Sequence, residues 1–300
     1  VRTEPPTGPA PFARRRIASL AEEALQQSGA VGDLPTPLAE VQRTLGVVER
    51  VSMRNLPAAV EAKKPRAWSR LLGAFWKEER VVFIDEEQGE SRRQWTDAHE
   101  AVHVMCGWHA EVLRLDNEDT LFKELHDEIE AEANYGAGHL VFQGGRFHRR
   151  ALADQISIRT PIALSSSYGA SRHATLHYYV EEHPFPIALL VTGRYPYADG
   201  TLPIWRSVES EPFLKRHGRL QRLLPGGRLS IEDRADAPLA EIVCRSKLAV
   251  DPPSCEVTIP DLGGRDRKFV AEAFFNGHCH FVTVVDKKAT RLGQRVRLAS

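Results

Sequence analysis

Apolar residues recur at helical spacing at Ile17, Leu20, Ala21, Ala24 and Leu25, which predicts a helix over 14–27. Ahead of it, Pro5, Pro6, Pro9 and Pro11 interrupt a stretch with few apolar residues, so residues 1–13 read as a disordered tail. Thr36 is positioned to cap a second helix with Pro37 in its first turn; that helix carries Leu38, Val41 and Leu45 and stops at Gly46. Strand-like runs follow at Val47–Val51 and Arg80–Ile84. Helical texture returns over Gln94–Gly107 and again from a cap at Thr120 or Asp119 to about Phe142, with Leu121, Phe122, Leu125, Ile129 and Ala133 as the apolar face. After Gly144-Gly145 come short helices between Arg149 and Val180. At Pro184-Phe185-Pro186 the pattern turns to alternation, clearest in Phe269–Val285 on either side of Asn276-Gly277, a dipeptide that favours a type I′ hairpin turn.

These elements predict an α+β chain with four parts: the tail 1–13, a domain over 14–148, a helical connector over 149–183, and a β-rich domain over 184–300. The 300 residues suffice for two cores, and a 42% hydrophobic, 27% charged composition is ordinary for a globular protein. Lys plus Arg and Asp plus Glu both number 40, and this balance argues against direct DNA binding, which feeds on a basic excess. Four cysteines with no paired spacing fit a reducing, cytoplasmic setting. The Pro- and Arg-rich start has no apolar h-region, and the longest apolar runs, such as Ile187–Val191, are far too short to span a bilayer, so no membrane partner is expected.

The chemistry concentrates in His99-Glu100-Ala101-Val102-His103, an H-E-x-x-H pattern. Four residues apart on a helix, both imidazoles lie on one face and can reach one metal ion. Zn²⁺ favours imidazole nitrogen and takes a third protein ligand in catalytic sites. Glu100, next to the first imidazole, is placed to accept a proton from a water and return it to a leaving amine. A surface helix with two unrelated histidines gives the same five letters, but Trp95, Ala98, Val102, Met105 and Cys106 make this helix largely apolar. The third ligand is sought on the next helix. Glu130 is flanked at helical spacing by Ala133, Asn134, Ala137 and Gly138, small residues that permit close helix approach. Glu132, with Tyr135 and Gly136 at the same offsets, is the alternative metal ligand, and spacing leaves the choice open. Asn134, His126 and Tyr135 are candidates to orient a ligand or to stabilise an oxyanion.

The run Arg93–His103 resembles the active-site helix of the ImmA/IrrE family of bacterial zinc metallopeptidases, and Arg80–Asp85 is similar to the strand that precedes it there. Glu130-Ala131-Glu132-Ala133-Asn134 resembles the family's second motif, E-x-E-A-N. The resemblance spans roughly 14–182 and implies a zincin-like domain, Glu130 as third ligand, and cleavage of a helix-turn-helix transcriptional repressor in stress or mobile-element regulation. Mn²⁺ is the expected substitute for Zn²⁺. Two positions depart from the pattern: Val102 stands where many relatives have glycine, and Leu140–Gln143 replaces a hydrophobic-proline helix end. Some members carry a C-terminal domain likened to GAF sensor folds, to which 184–300 is compared, with no ligand implied.

Leu164–Tyr178 resembles the family's helix-turn-helix-like segment, but Arg172, His173, Thr175 and His177 are a thin set of DNA contacts, so a structural or docking role is expected. His278 and His280 are expected as a surface pair on one face of a hairpin, with Cys279 on the other, and the basic stretch Lys63–Arg70 as a solvated loop beside an amphipathic insert that contains Phe75 and Trp76. Two rivals to the peptidase are carried forward: a binding protein that sequesters a repressor without cutting it, and a DNA-binding regulator.

Overall fold

Two units divide the chain. One comprises 1–147 with 166–171, the other 148–165 with 172–300. The computed structural model describes residues 8–55, 73–109, 123–224, 227–230, 237–261 and 263–288.

The first unit begins with helix α1 (Pro11–Gln27), which buries Ile17, Ala21, Ala24 and Leu25. It starts earlier than expected because Pro11 and Phe12 enter its first turn, where the missing proline N–H costs nothing. Helix α2 (Leu38–Thr44) follows. Thr36 does not cap it. The Thr36 hydroxyl donates instead to the carbonyls of Leu140 and Val141, at 3.0 and 3.1 Å, in the last turn of a later helix where free acceptors remain.

A three-stranded sheet of order β1-β3-β2 comes next, from β1 (Glu49–Ser52), β2 (Gly73–Trp76) and β3 (Val81–Ile84). β1 runs parallel to β3 and β2 antiparallel to it. Strand β2 occupies what reads in sequence as the end of an amphipathic insert. Its four residues are too few to show an alternating pattern, and pairing with β3 decides their conformation. The basic stretch Lys63–Arg70 lies outside the described residues.

Helix α3 (Glu90–Met105) packs against α4 (Lys123–Phe142), and α1 packs on α4 as well. The expected caps Asp119 and Thr120 lie outside the described residues. Helix α4 ends without the proline of the related pattern, at Gln143, which adopts φ 55°. Its amide donates to the carbonyls of Ala30 (3.0 Å) and Asp33 (2.8 Å), while its Oε1 accepts from the Gly32 N–H (2.8 Å). These bonds hold a side chain in a region that glycine usually fills.

The helical segment expected over 149–183 is divided between the two units. Helix α5 (Gly145–Leu152) straddles the division, and α6 (Arg159–Leu164) and α7 (Arg172–Glu181) belong to the second unit, while residues 166–171 return to the first. Helix α7 buries Thr175, Leu176, Tyr178, Tyr179 and Val180 and packs on strands β4 and β5.

The second unit is built on a six-stranded antiparallel sheet of order β6-β5-β4-β9-β8-β7. Its strands are β4 (Ile187–Thr192), β5 (Thr201–Glu209), β6 (Arg228–Ser230), β7 (Ser254–Pro260), β8 (Asp266–Phe275) and β9 (His280–Asp286). The central strands β4 and β9 are buried along their whole length, as expected when both faces are covered. One face packs Ala188, Leu190, Val282 and Val284 against Leu239, Ala240 and Val243 of helix α10 (Ala237–Ser246). Two further short helices, α8 (Glu211–His217) and α9 (Leu220–Leu223), lie in this β-rich region.

The β8–β9 hairpin is present, but not with a type I′ turn. That turn needs positive φ at both central residues, and only Gly277 has it, at 96°. Asn276 uses its side chain instead, accepting from the N–H groups of His278 and Cys279, both at 2.9 Å. His280 is not a surface residue: it is buried, and its Nδ1 lies 2.9 Å from the Ser246 hydroxyl. Cys279 is buried too.

At the far end of β9, Asp286 accepts from His217 Nε2 and Arg216 Nη1, each at 3.1 Å, and from the Lys288 N–H at 2.8 Å. Burial raises the carboxyl's pKa, but the three donors outweigh it and hold the pKa below the ordinary value. A depressed folded-state pKa contributes stability above the unfolded value of about 3.9, and that contribution is lost as pH falls towards the folded value. Asp286→Asn is therefore expected to lower the melting temperature by several degrees at pH 7, with the gap to wild type narrowing below about pH 4. A gap that stays constant from pH 7 to 3 contradicts this.

Candidate metal centre

The centre is set by how closely α3 and α4 approach. Ala133 and Ala137 of α4 are fully buried, and Gly136 sits directly on α3. A Cβ at Gly136 would lie 2.7 and 2.8 Å from the two Val102 methyls and 2.9 Å from Ile17 Cγ2. The bulk of Val102 on α3 is thus matched by the absence of a side chain on α4. Helix α3 is fixed from the other side by Arg50 of β1, which donates to both carboxylate oxygens of Asp97 at 2.9 and 2.8 Å, and by Gln42 of α2, which donates to the Asp97 carbonyl at 2.8 Å.

With the helices so placed, His99, His103 and Glu130 converge, a metal-capable group found among the described residues. His99 Nε2 lies 3.1 Å from His103 Nε2 and 3.3 Å from Glu130 Oε2, and His103 Nε2 lies 3.6 Å from Glu130 Oε1. A tetrahedral ion whose ligands stand about 2.0–2.2 Å away would hold its donors roughly 3.3–3.6 Å apart. Two imidazole nitrogens and one carboxylate oxygen are also the donor types that Zn²⁺ takes in catalytic sites, so spacing and chemistry both fit the ion. Burial, with His99 beside it, drives the His103 pKa down to about 3, leaving a neutral ring with a free lone pair. Glu130 is pulled the other way: burial opposes ionisation, but His99, His103 and His126 bring its pKa to about 2.

Glu100 is 6% exposed. Burial raises its pKa to about 7, with His99 opposing and Glu130 and Asp97 adding to the rise. The Gly73 backbone of β2 lies against it: a Cβ there would stand 2.8 Å from Glu100 Oε1 and 2.6 Å from Thr96 Cγ2. Only glycine lets β2 run this close to the carboxyl.

The remaining candidates are distributed around this core. Asn134 donates to the Glu130 carbonyl at 2.7 Å, accepts from Trp95 Nε1 at 3.4 Å, and favours the protonated form of His99. His126, exposed and one turn before Glu130, acts on it electrostatically. The Tyr135 ring lies beside Arg14 of α1 and His139. Glu132 is 7% exposed and its Oε2 meets His109 Nε2 at 2.9 Å and Trp108 Nε1 at 2.8 Å. Neither Trp108 nor His109 stands out in the sequence. Both follow the motif helix at no recognisable metal spacing, and only the fold reveals that His109 Nδ1 is 3.1 Å from His103 Nδ1.

The arrangement defines a class: His99, His103 and distal Glu130 form a metal-ligand triad that matches the HExxH-plus-Glu pattern of zinc proteases. Residues 51–178 match the family model described as the IrrE N-terminal-like domain, a peptidase family, so the chain contains a domain of that kind. Among solved structures, a Mycobacterium tuberculosis transcriptional regulator is similar in fold, with 15% sequence identity, a TM-score of 0.54, and coverage of 92% of this chain and 90% of that one. No curated protein sequence matches.

If the Val102–Gly136 fit sets the helix spacing, Gly136→Ala should cost about 1–3 kcal/mol through overpacking. Adding Val102→Ala should then recover part of the loss in denaturant melts. Simple addition of the two single costs contradicts a shared contact.

Proposed function

We propose that this protein is a zinc-dependent endopeptidase that cleaves a protein partner, a helix-turn-helix transcriptional repressor. The observation that carries the reading is the convergence of His99, His103 and Glu130 beside a buried Glu100. When bound, Zn²⁺ supplies Lewis acidity, polarising a carbonyl and acidifying a water. The same oxygen and nitrogen donors admit Mn²⁺, whose occupancy is decided by availability more than by affinity order.

The chain's own residues supply the proton chemistry. A carboxyl with a pKa near neutrality can both accept and release a proton at working pH. Glu100 accepts the proton of the attacking water and delivers it to the nitrogen of the leaving amine. Its burial excludes competing solvent, and the Gly73 backbone limits the positions that its carboxyl can take. Asn134 hydrogen-bonds His99.

The regulatory part of the proposal draws on two supports. The domain matched over 51–178 is a peptidase family, and a protein of similar fold is described as a transcriptional regulator. A protein-directed role also agrees with the balanced charge and with α7 being packed on its sheet. Among the described residues no helix is long and apolar enough to cross a membrane.

Glu100→Gln should retain stoichiometric zinc and lose about 10²–10⁴-fold in cleavage of a co-encoded repressor, read as fragments by mass spectrometry. Cleavage at the wild-type rate with zinc bound rejects Glu100 as the base. A stoichiometric complex of the zinc-loaded wild type with an intact repressor favours sequestration over hydrolysis.

A further inference from the structure

Beyond the three ligands, a line of hydrogen-bonding groups runs from His103 away from the metal centre. His103 Nδ1 lies 3.1 Å from His109 Nδ1, and His109 Nε2 lies 2.9 Å from Glu132 Oε2. That same Glu132 oxygen accepts from Trp108 Nε1 at 2.8 Å, and the Arg16 guanidinium lies 4.3 Å from the Trp108 ring centroid. His109 is completely buried and Glu132 nearly so, and neither is part of the ligand cluster.

The proton positions along this line follow from its outer end. A carboxylate oxygen only accepts, so the His109 nitrogen facing Glu132 carries the hydrogen. In a neutral ring the other nitrogen is then bare, and His109 Nδ1 must accept. The donor to it is His103 Nδ1–H. His103 Nε2 is consequently left without a proton, and this is the atom that faces His99 Nε2 and Glu130. Without an acceptor at Nδ1, the ring proton is free to sit on Nε2, where it blocks the ligand lone pair.

We infer that His109, held by Glu132, is a positioning residue that fixes His103 in its metal-binding tautomer through a histidine–histidine–carboxylate relay. Metal-binding histidines generally donate their second ring N–H to a carboxylate, carbonyl or water. Here a second imidazole is interposed, which moves the negative charge one ring further from the ion and keeps Glu132 out of the coordination sphere. The inference rests on the proposed metal role of His99, His103 and Glu130.

The test uses Zn²⁺ alone, titrated into zinc-free full-length protein against a chromophoric chelator, with circular dichroism to verify folding. His109→Leu removes the acceptor and should weaken zinc binding about 10–100-fold. His109→Asn places an amide oxygen near the position of Nδ1 and should recover most of that loss although it cannot reach Glu132. Wild-type affinity in His109→Leu overturns the proposal, and so does a loss in His109→Asn as large as in His109→Leu. Should His109→Leu not fold, imidazole ¹⁵N NMR of the zinc-free wild type decides: His103 must carry its proton on Nδ1, and a proton on Nε2 overturns the relay. Glu130→Ala separates the two levels. If it binds zinc as wild type does, the ligand assignment itself has failed; if it loses zinc while His109→Leu does not, only the relay has failed.

Discussion

Everything at this centre depends on how close α4 lies to α3. A glutamate side chain is short relative to the separation of two packed helices, and Glu130 meets both imidazoles because Gly136, Ala133 and Ala137 let the backbones approach. Val102 is the counterpart on α3, a β-branched residue whose methyls fill the space that Gly136 leaves open. A departure from the related pattern is therefore balanced within the same interface: the bulk is carried by one helix and the gap by the other. Close packing of this kind has little tolerance, because protein interiors hold few voids and resist compression.

The second constraint is electrostatic. Burying His103, Glu100 and Glu132, with Glu130 half-buried beside them, is costly unless each group finds a partner or gives up its charge. The four groups resolve the problem differently. His103 becomes neutral, Glu130 stays ionised beside the imidazoles, and Glu100, where burial outweighs the opposing pull of His99, is raised to about 7. Glu132 is satisfied by two ring N–H donors. Two glutamates a single residue apart on one helix thus face different environments, one at the ligand cluster and one behind it.

Much of this was legible in the sequence because it is written in local spacing. Two histidines four apart on a helix must share a face, and the apolar periodicity around Ile17 and Ile129 locates the helices that support them. Sequence spacing left Glu130 and Glu132 open, since both sit at the edge of the apolar face, and the helix crossing separates them. The parts that stayed hidden depend on distant contacts. β2 is a strand only because β3 pairs with it, Thr36 serves the far end of α4 rather than its own helix, and His109 acquires meaning only from His103 and Glu132. The hairpin at Asn276-Gly277 was legible as a turn but not as a turn type, because the Asn276 side chain, beside its N–H bond to the Cys279 carbonyl, closes the loop. His280 looked like a surface residue because alternation fixes which face a side chain takes, but not whether that face is covered.

The central claim is that two imidazoles of α3 and one carboxylate of α4 hold a single divalent ion. X-ray absorption spectroscopy of the zinc-loaded protein tests it most directly. The account predicts only nitrogen and oxygen neighbours at about 2.0–2.2 Å, with multiple scattering from two imidazole rings. A sulfur neighbour at about 2.3 Å, or the scattering of fewer than two imidazoles, contradicts it.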